Sequence, residues 1–233
     1  MAKSKKDLQY VIATTKSWNV ANFEKYFSTQ KNFHLITRNE DLTLEWLRKV
    51  QPRYIFFPHW SWIVPKEIWS EFECVTLHET DLPYGRGGSP IQNLIARGHK
   101  KTKISAIKIE AGIDTGDVYI KYPVSLHGSA QEIFERISDI VFSTIIPTLI
   151  SKELVPKRQR GKDTVFKRRT PDMSRISGKE KPAELYDLIR MVDADSYPHA
   201  FLELENQRFE FSEAKLVKGT LYAKVTITNY PKK

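Results

Sequence analysis

Strand-like apolar runs alternate with helix-like stretches from residue 8 to residue 150, and that alternation restricts the chain to few architectures. Residues 8–14 (Leu-Gln-Tyr-Val-Ile-Ala-Thr) read as a strand. Residues 19–28 read as a helix, with Asn19 as its N-cap and Phe23, Tyr26 and Phe27 at helical spacing. Further strands are expected at 32–37, 54–57, Cys74–His78, 102–109 and 118–124. Helices are expected at 41–50, 65–72, 89–97 and 130–150, the last broken near Pro147. Ser89 caps the 89–97 helix in this reading, Pro90 takes its first position and Gly98 closes it. Strands separated by helices imply βαβ units, so the expected fold class is α/β: a Rossmann-like, mainly parallel sheet with helices on both faces. Sites on such sheets lie at the carboxyl ends of the strands, and His78 falls at one.

The character changes after Leu154. Residues 155–181 are polar and basic, with Gly161, Pro171 and Gly178 as breakers, and read as a linker. A helix at 183–192 and strands at 200–204, 208–211 and 221–228 follow, with turns at Asn206-Gln207 and Lys218-Gly219. The expected division is therefore a principal domain over 1–154, a basic linker over 155–181 and a small α+β domain over 182–233.

A formal net charge of +9 favours anionic partners. The densest cationic stretch is 157–169, whose bland alternative is a solvated basic surface. No aromatic–basic alternation of an RNA-binding sheet and no helix-turn-helix is recognisable. The lone cysteine, Cys74, excludes a disulfide framework and points to a reducing, cytoplasmic setting. No apolar run is long enough to span a bilayer, and the basic start (Lys3, Lys5, Lys6) leads into no signal-type core, so no membrane partner is expected.

The chemistry concentrates between His78 and Asp117. His78-Glu79-Thr80-Asp81-Leu82-Pro83-Tyr84-Gly85-Arg86-Gly87-Gly88 is followed, one helix and one strand later, by Gly112-Ile113-Asp114-Thr115-Gly116-Asp117. That order offers a base, an orienting carboxylate and a glycine loop able to approach a ligand closely. Taken singly the parts are weak: a lone histidine at a strand end is more often structural. The glycine loop lacks the Lys-Ser/Thr pair of a P-loop, and no Gly-x-Gly-x-x-Gly follows the first strand. An aspartic-protease reading of Asp-Thr-Gly conflicts with the α/β pattern. Cys74 and His78 alone do not make a metal site, and no metal is expected.

Together, His-x-x-x-Leu-Pro-x-x-Arg-Gly and Asp-Thr-Gly-Asp resemble the folate-dependent formyltransferase family. The resemblance implies a formyl-transfer enzyme using N10-formyltetrahydrofolate as formyl donor, with His78 as catalytic histidine and Asp114 as catalytic aspartate. It implies a donor pocket walled by Trp60-Ser61-Trp62-Ile63-Val64 on one side and Glu110-Ala111-Gly112-Ile113 on the other. Core packing is the plain alternative for Trp60 and Trp62. The family has Asn two residues before the histidine, where this chain has Thr76; the expectation is that Thr76, or Asn93 or Gln92 on the following helix, supplies the missing donor to the developing oxyanion. Losing one such donor costs ~3–4 kcal/mol.

The stretch Arg168-Arg169-Thr170-Pro171-Asp172-Met173-Ser174 resembles sugar formyltransferases, and paired arginines suit a diphosphate. The acceptor expected on that resemblance is a nucleotide-linked aminosugar, best matched by a uridine-diphosphate 4-amino-4,6-dideoxy-N-acetylhexosamine of surface-polysaccharide biosynthesis. Its contacts would come from Tyr84, Arg86, Gly87, Gly88, Arg168 and Arg169. No nucleic-acid partner is expected, and a homodimer is suggested by the related sugar enzymes. The alternatives are thymidine-linked aminosugar transfer, methionyl-tRNA formylation, and a non-catalytic protein that binds folate or a nucleotide sugar.

Overall fold

The computed structural model describes residues 8–195 and 197–229, which form two compact units. The first takes residues up to Gly87, Lys103–Val124 and Glu135–Val165; the second takes Gly88–Thr102, Ser125–Phe134 and the chain from Phe166 onward. The chain passes repeatedly between them, so residues 88–102 and 125–134 group with the C-terminal part rather than with the rest of 1–154. The calls on Lys3, Lys5 and Lys6 lie outside the described residues.

The first unit is built on a six-stranded sheet of order β2-β1-β3-β4-β6-β7: β1 Gln9–Ala13, β2 Phe33–Ile36, β3 Pro52–Pro58, β4 Cys74–His78, β6 Lys101–Lys108 and β7 Val118–Ser125. The first four strands pair in parallel, and β6 pairs antiparallel with β4, placing Ser105 opposite His78 and Ile107 opposite Thr76. Two residues form β5, Arg86–Gly87. The inner strands carry near-continuous apolar runs because both faces are covered. Val11, Ile55, Phe57 and Cys74 pack with Leu47 of α2 (Leu44–Val50) and Ile68 of α3 (Lys66–Glu71). Burying each such large side chain contributes roughly 1.5–3 kcal/mol. The strand order reverses between β1 and β3, which opens a crevice at their carboxyl ends.

Three local expectations are corrected. Asn19 is not a cap: α1 runs Ser17–Tyr26, and buried Asn19 donates Nδ2 to Thr14 Oγ1 at 2.8 Å and to the Pro58 carbonyl at 3.1 Å, tying β1 to β3. Helix α2 starts at Leu44 because Thr43 Oγ1 caps the Trp46 N–H, and residues Asn39–Asp41 form a separate 3-10 turn. The 130–150 helix is α5 (Ala130–Ile140), a π-helical turn (Val141–Ile145) and α6 (Ile146–Lys152). Pro147 has no N–H to give to a preceding turn, and the widened π turn takes up that missing bond.

The second unit contains α4 (Pro90–Ala96), α7 (Pro182–Arg190) and an antiparallel sheet of order β11-β10-β9, comprising Ala200–Leu204, Gln207–Val217 and Thr220–Asn229. Helix α7 packs on β10 and β11. The second strand runs past the expected end at 211 because an irregularity between Ser212 and Lys215, with Glu213 at φ 52°, absorbs the break. Arg190 is buried, and its guanidinium donates to Asp187 at 2.6 Å and to the Leu126 and Gly128 carbonyls at 2.7 and 2.8 Å. Those two carbonyl bonds hold the 125–134 segment in this unit. Two residues, Val165–Phe166, form β8.

Candidate active site

His78 closes β4, so its side chain sits at the carboxyl edge of the sheet, on the same face as Thr76 two residues earlier. It is buried, and its ring meets two acceptors. Nε2 lies 2.8 Å from the Gly85 carbonyl, and Nδ1 lies 3.5 Å from Asp114 Oδ2. The Gly85 contact is local: the loop folds back after Leu82-Pro83, a cis peptide, and Thr80 Oγ1 also donates to Gly85 O at 3.3 Å. Nε2 is thereby occupied, and Nδ1 is the ring atom that faces the carboxylate.

Asp114 sits in a left-handed backbone conformation, φ 53°, that non-glycine residues seldom adopt. Three bonds hold it there. The Gly87 N–H donates to Asp114 Oδ2 at 2.8 Å, and Gln159 Nε2 donates to the Asp114 and Gly116 carbonyls at 2.8 and 2.9 Å. Gly116 is required by space: a Cβ there would lie 1.8 Å from the Lys108 carbonyl oxygen. Glu110 Oε1 accepts from the Asp117 N–H, and Thr115 Oγ1 donates to Ala111 O, which closes the turn.

Behind His78 lies a second buried pair. His59 Nδ1 faces the Trp18 Nε1 donor at 3.4 Å, which assigns it as the acceptor, with Asn19 Nδ2 3.1 Å away. His59 Nε2 therefore carries the proton toward Glu79 Oε1, 3.1 Å away. Burial by itself pushes the Glu79 carboxyl up; the His59 hydrogen bond and the electrostatic pull of the His59 and His78 rings outweigh it and hold the carboxyl below its usual range.

The expected donor-pocket residues fall on two loops of the first unit. Trp60 packs edge-on against Phe57 and tilts against Trp62, and Val64 is buried in the core, so these two have a packing role as well. Ser61 and Trp62 are exposed, Ile63 is 89% exposed and Ile113 is 70% exposed. Ala111 and Gly112 are exposed beside Ile113. Apolar side chains left uncovered on neighbouring site loops are what a flat aromatic ligand needs.

Several expected contacts are corrected. Asn93 is not an oxyanion donor: its Nδ2 gives to the Gly88, Ser89 and Lys167 carbonyls at 3.0, 3.1 and 2.9 Å, and its Oδ1 accepts from Arg97. Ser89 does not cap its helix; its Oγ accepts from the Arg169 N–H. Arg86 is engaged by Gln159 Oε1 at 2.8 Å and Asp163 at 3.4 Å, so its guanidinium braces the loop. Arg168 and Arg169 do not make a fork. Arg168 is exposed with its backbone against Gly88, where an added Cβ would come within 2.7 Å of the Arg168 Cα; Arg169 turns inward to the Met173 carbonyl. Burial, and then the neighbouring Arg97 charge, pull Arg169 below the usual guanidinium range. Tyr84 is half-buried on the same loop as Gly87. Among the described residues, no three His, Cys, Asp or Glu side chains gather as metal ligands would, and no helix is long and apolar enough to cross a membrane.

A His–Asp pair at the strand ends beside a glycine loop accords with a known family. Residues 3–149 match the model described as formyl transferase, and residues 171–228 match the one described as methionyl-tRNA formyltransferase, C-terminal domain. The chain belongs to the formyl transferase family. The solved structure of a methionyl-tRNA formyltransferase from Clostridium thermocellum is 50% identical, with a TM-score of 0.92 over 95% of this chain and 99% of that one. Methionyl-tRNA formyltransferase from Clostridium perfringens is 26% identical over 80% of this chain and 64% of its own length. The chain spans 64 and 58% of the length of two of the curated relatives it matches. A sugar N-formyltransferase from Shewanella shares the fold, with a TM-score of 0.65, but only 13% of residues. These findings overturn the nucleotide-sugar acceptor, the surface-polysaccharide setting and the expected lack of a nucleic-acid partner. The outward Arg168 and inward Arg169 remove the physical basis of that expectation as well.

Proposed function

We propose that this formyltransferase moves a formyl group from N10-formyltetrahydrofolate to the amine of methionyl-tRNA. The observation that carries the chemistry is the His78–Asp114 pair, 3.5 Å apart and anchored by Gly85 and Gly87. The acceptor reading draws on the names of the relatives and on charge. Residues 155–181 hold ten Lys and Arg against three Asp and Glu, and so supply +7 of the net +9. Lys157, Arg158, Arg160, Lys162, Lys167 and Arg168 are exposed, and among the described residues none is paired with a carboxylate. Exposed, unpaired cations suit a phosphate backbone, whose binding weakens steeply with salt.

The reaction forms a bond from the amine nitrogen to the formyl carbon and breaks the bond from that carbon to N10. One proton leaves the amine and one arrives at N10, so no net proton is released. In this reading Asp114 orients His78 through Nδ1 and accepts the amine proton. The Thr76 hydroxyl, on the same face of β4, faces the oxygen that gains negative charge, because both ring nitrogens of His78 are engaged by Gly85 and Asp114. Ile63, Trp62 and Ile113 bound the donor's ring system. Single-turnover transfer to charged initiator tRNA, with uncharged tRNA as control, tests the assignment; donor consumption without formyl-methionyl-tRNA would refute it.

A further inference from the structure

We propose that Gln159 is a positioning residue for formyl transfer: it clasps the Asp114 turn to Arg86 and so sets the catalytic carboxylate from within the acceptor-binding segment. The inference rests on the function proposed above and deepens it. The Gln159 amide spends its whole hydrogen-bonding capacity on this clasp. Nε2 donates to the carbonyls of Asp114 and Gly116, and Oε1 accepts from Arg86 Nε at 3.2 Å and Nη2 at 2.8 Å. Arg86 precedes Gly87, whose N–H holds the other end of Asp114. Backbone and side chain of Asp114 are thus fixed by two arms that meet at one amide. The left-handed conformation of Asp114 is strained even for aspartate, which tolerates it better than most residues, and these bonds offset that strain.

The residues flanking Gln159 face the other way. Lys157, Arg158, Arg160 and Lys162 are exposed, while Gln159 is half-buried, and the Lys157 backbone is anchored to Val118 by two 2.8 Å bonds. Phosphates bound by these cations therefore load the same few residues that hold the carboxylate, so acceptor binding reinforces the held Asp114 turn. Specificity for the acceptor then shows in kcat as well as in KM.

Gln159→Glu isolates the clasp. It keeps the shape and the bond to Arg86, but puts an acceptor oxygen against two carbonyls. Gln159→Leu removes both arms. Each variant is expected to lower kcat at saturating acceptor by about 100-fold, with the formyl-donor KM within about twofold of wild type. Arg86→Met should cost much less in the Gln159→Leu background than alone, since both act through one contact. A second readout needs no acceptor: the His78 ring, which faces Asp114 and the Gly85 carbonyl, should show displaced imidazole NMR resonances at fixed pH in Gln159→Glu. A Gln159→Glu enzyme with wild-type kcat and unmoved His78 resonances overturns the clasp. A wild-type protein that fails to formylate initiator tRNA overturns the acceptor reading instead, and the resonances still decide the clasp.

Discussion

Replacing Gly116 by alanine should disable the site without unfolding the protein. The added Cβ would start 1.8 Å from the Lys108 carbonyl oxygen and 2.9 Å from its carbon. Side-chain carbons essentially never approach closer than 3.0 Å, so the two backbones must part by about 1.2 Å. The Lys108 side of that contact is held, because Lys108 pairs with Val75 and β6 is fixed against β4. The exposed turn from Glu110 to Thr115 has less to hold it, so it takes most of the movement. Asp114 moves with it. The 2.8 Å bond from Gly87 and the two from Gln159 stretch beyond useful length, and His78 loses its carboxylate. A misplacement near 1 Å at a reacting centre costs about 100-fold, or roughly 2.7 kcal/mol of barrier. The assay is single-turnover formyl transfer at saturating donor, with thermal melting run alongside. A rate within about threefold of wild type, at unchanged melting temperature, would refute the claim that this turn sets the carboxylate.

Asp114→Asn keeps an acceptor for the Gly87 N–H but removes the charge facing His78, and transfer should fall by about 10²–10⁴-fold in the same assay. Glu79 sits below its usual range in the folded protein, so its stabilising contribution is complete above the unfolded carboxylate range and is lost as pH falls through the lower folded value. Melting temperature should therefore drop on acidification below about pH 4.5 more steeply for wild type than for Glu79→Gln; parallel curves would exclude the role. Burial pushes the Cys74 thiol up to about 12, so a disulfide reagent at pH 8 should label it only after denaturation. Rapid labelling of the native protein would show that β4 opens.

The parallel sheet was legible because strand runs such as 8–14 and Cys74–His78 carry their burial in their own composition. The His78 and Asp114 motifs were legible because each is local and constrained by backbone. The rest lay in contacts between distant residues. Gln159 stands among cations in a polar stretch, and no periodicity marks it; only the fold brings it to Asp114. Asn93 and Ser89 look like free polar groups at a helix start, and both are consumed by the chain near Lys167 and Arg169. Arg168-Arg169 reads as a diphosphate fork in one dimension, but Arg168 is exposed while Arg169 turns to the Met173 carbonyl. The nucleotide-sugar expectation rested on the resemblance of that stretch to sugar formyltransferases, and the 50% identical methionyl-tRNA formyltransferase overturns it. His59 and Glu79 are twenty residues apart in sequence, and their pairing follows from the parallel register of β3 and β4.

The repeated passage of the chain between its two units has a consequence for synthesis. Residues 88–102 and 125–134 emerge from a ribosome well before the residues from Phe166 onward with which they pack. During that interval Leu94, Ile95 and Leu126, buried in the finished protein, have no complete core to enter. The nascent chain must carry these apolar patches, unsheltered, until β9–β11 arrive, and a translation pause between Val165 and Ala200 would lengthen that exposure.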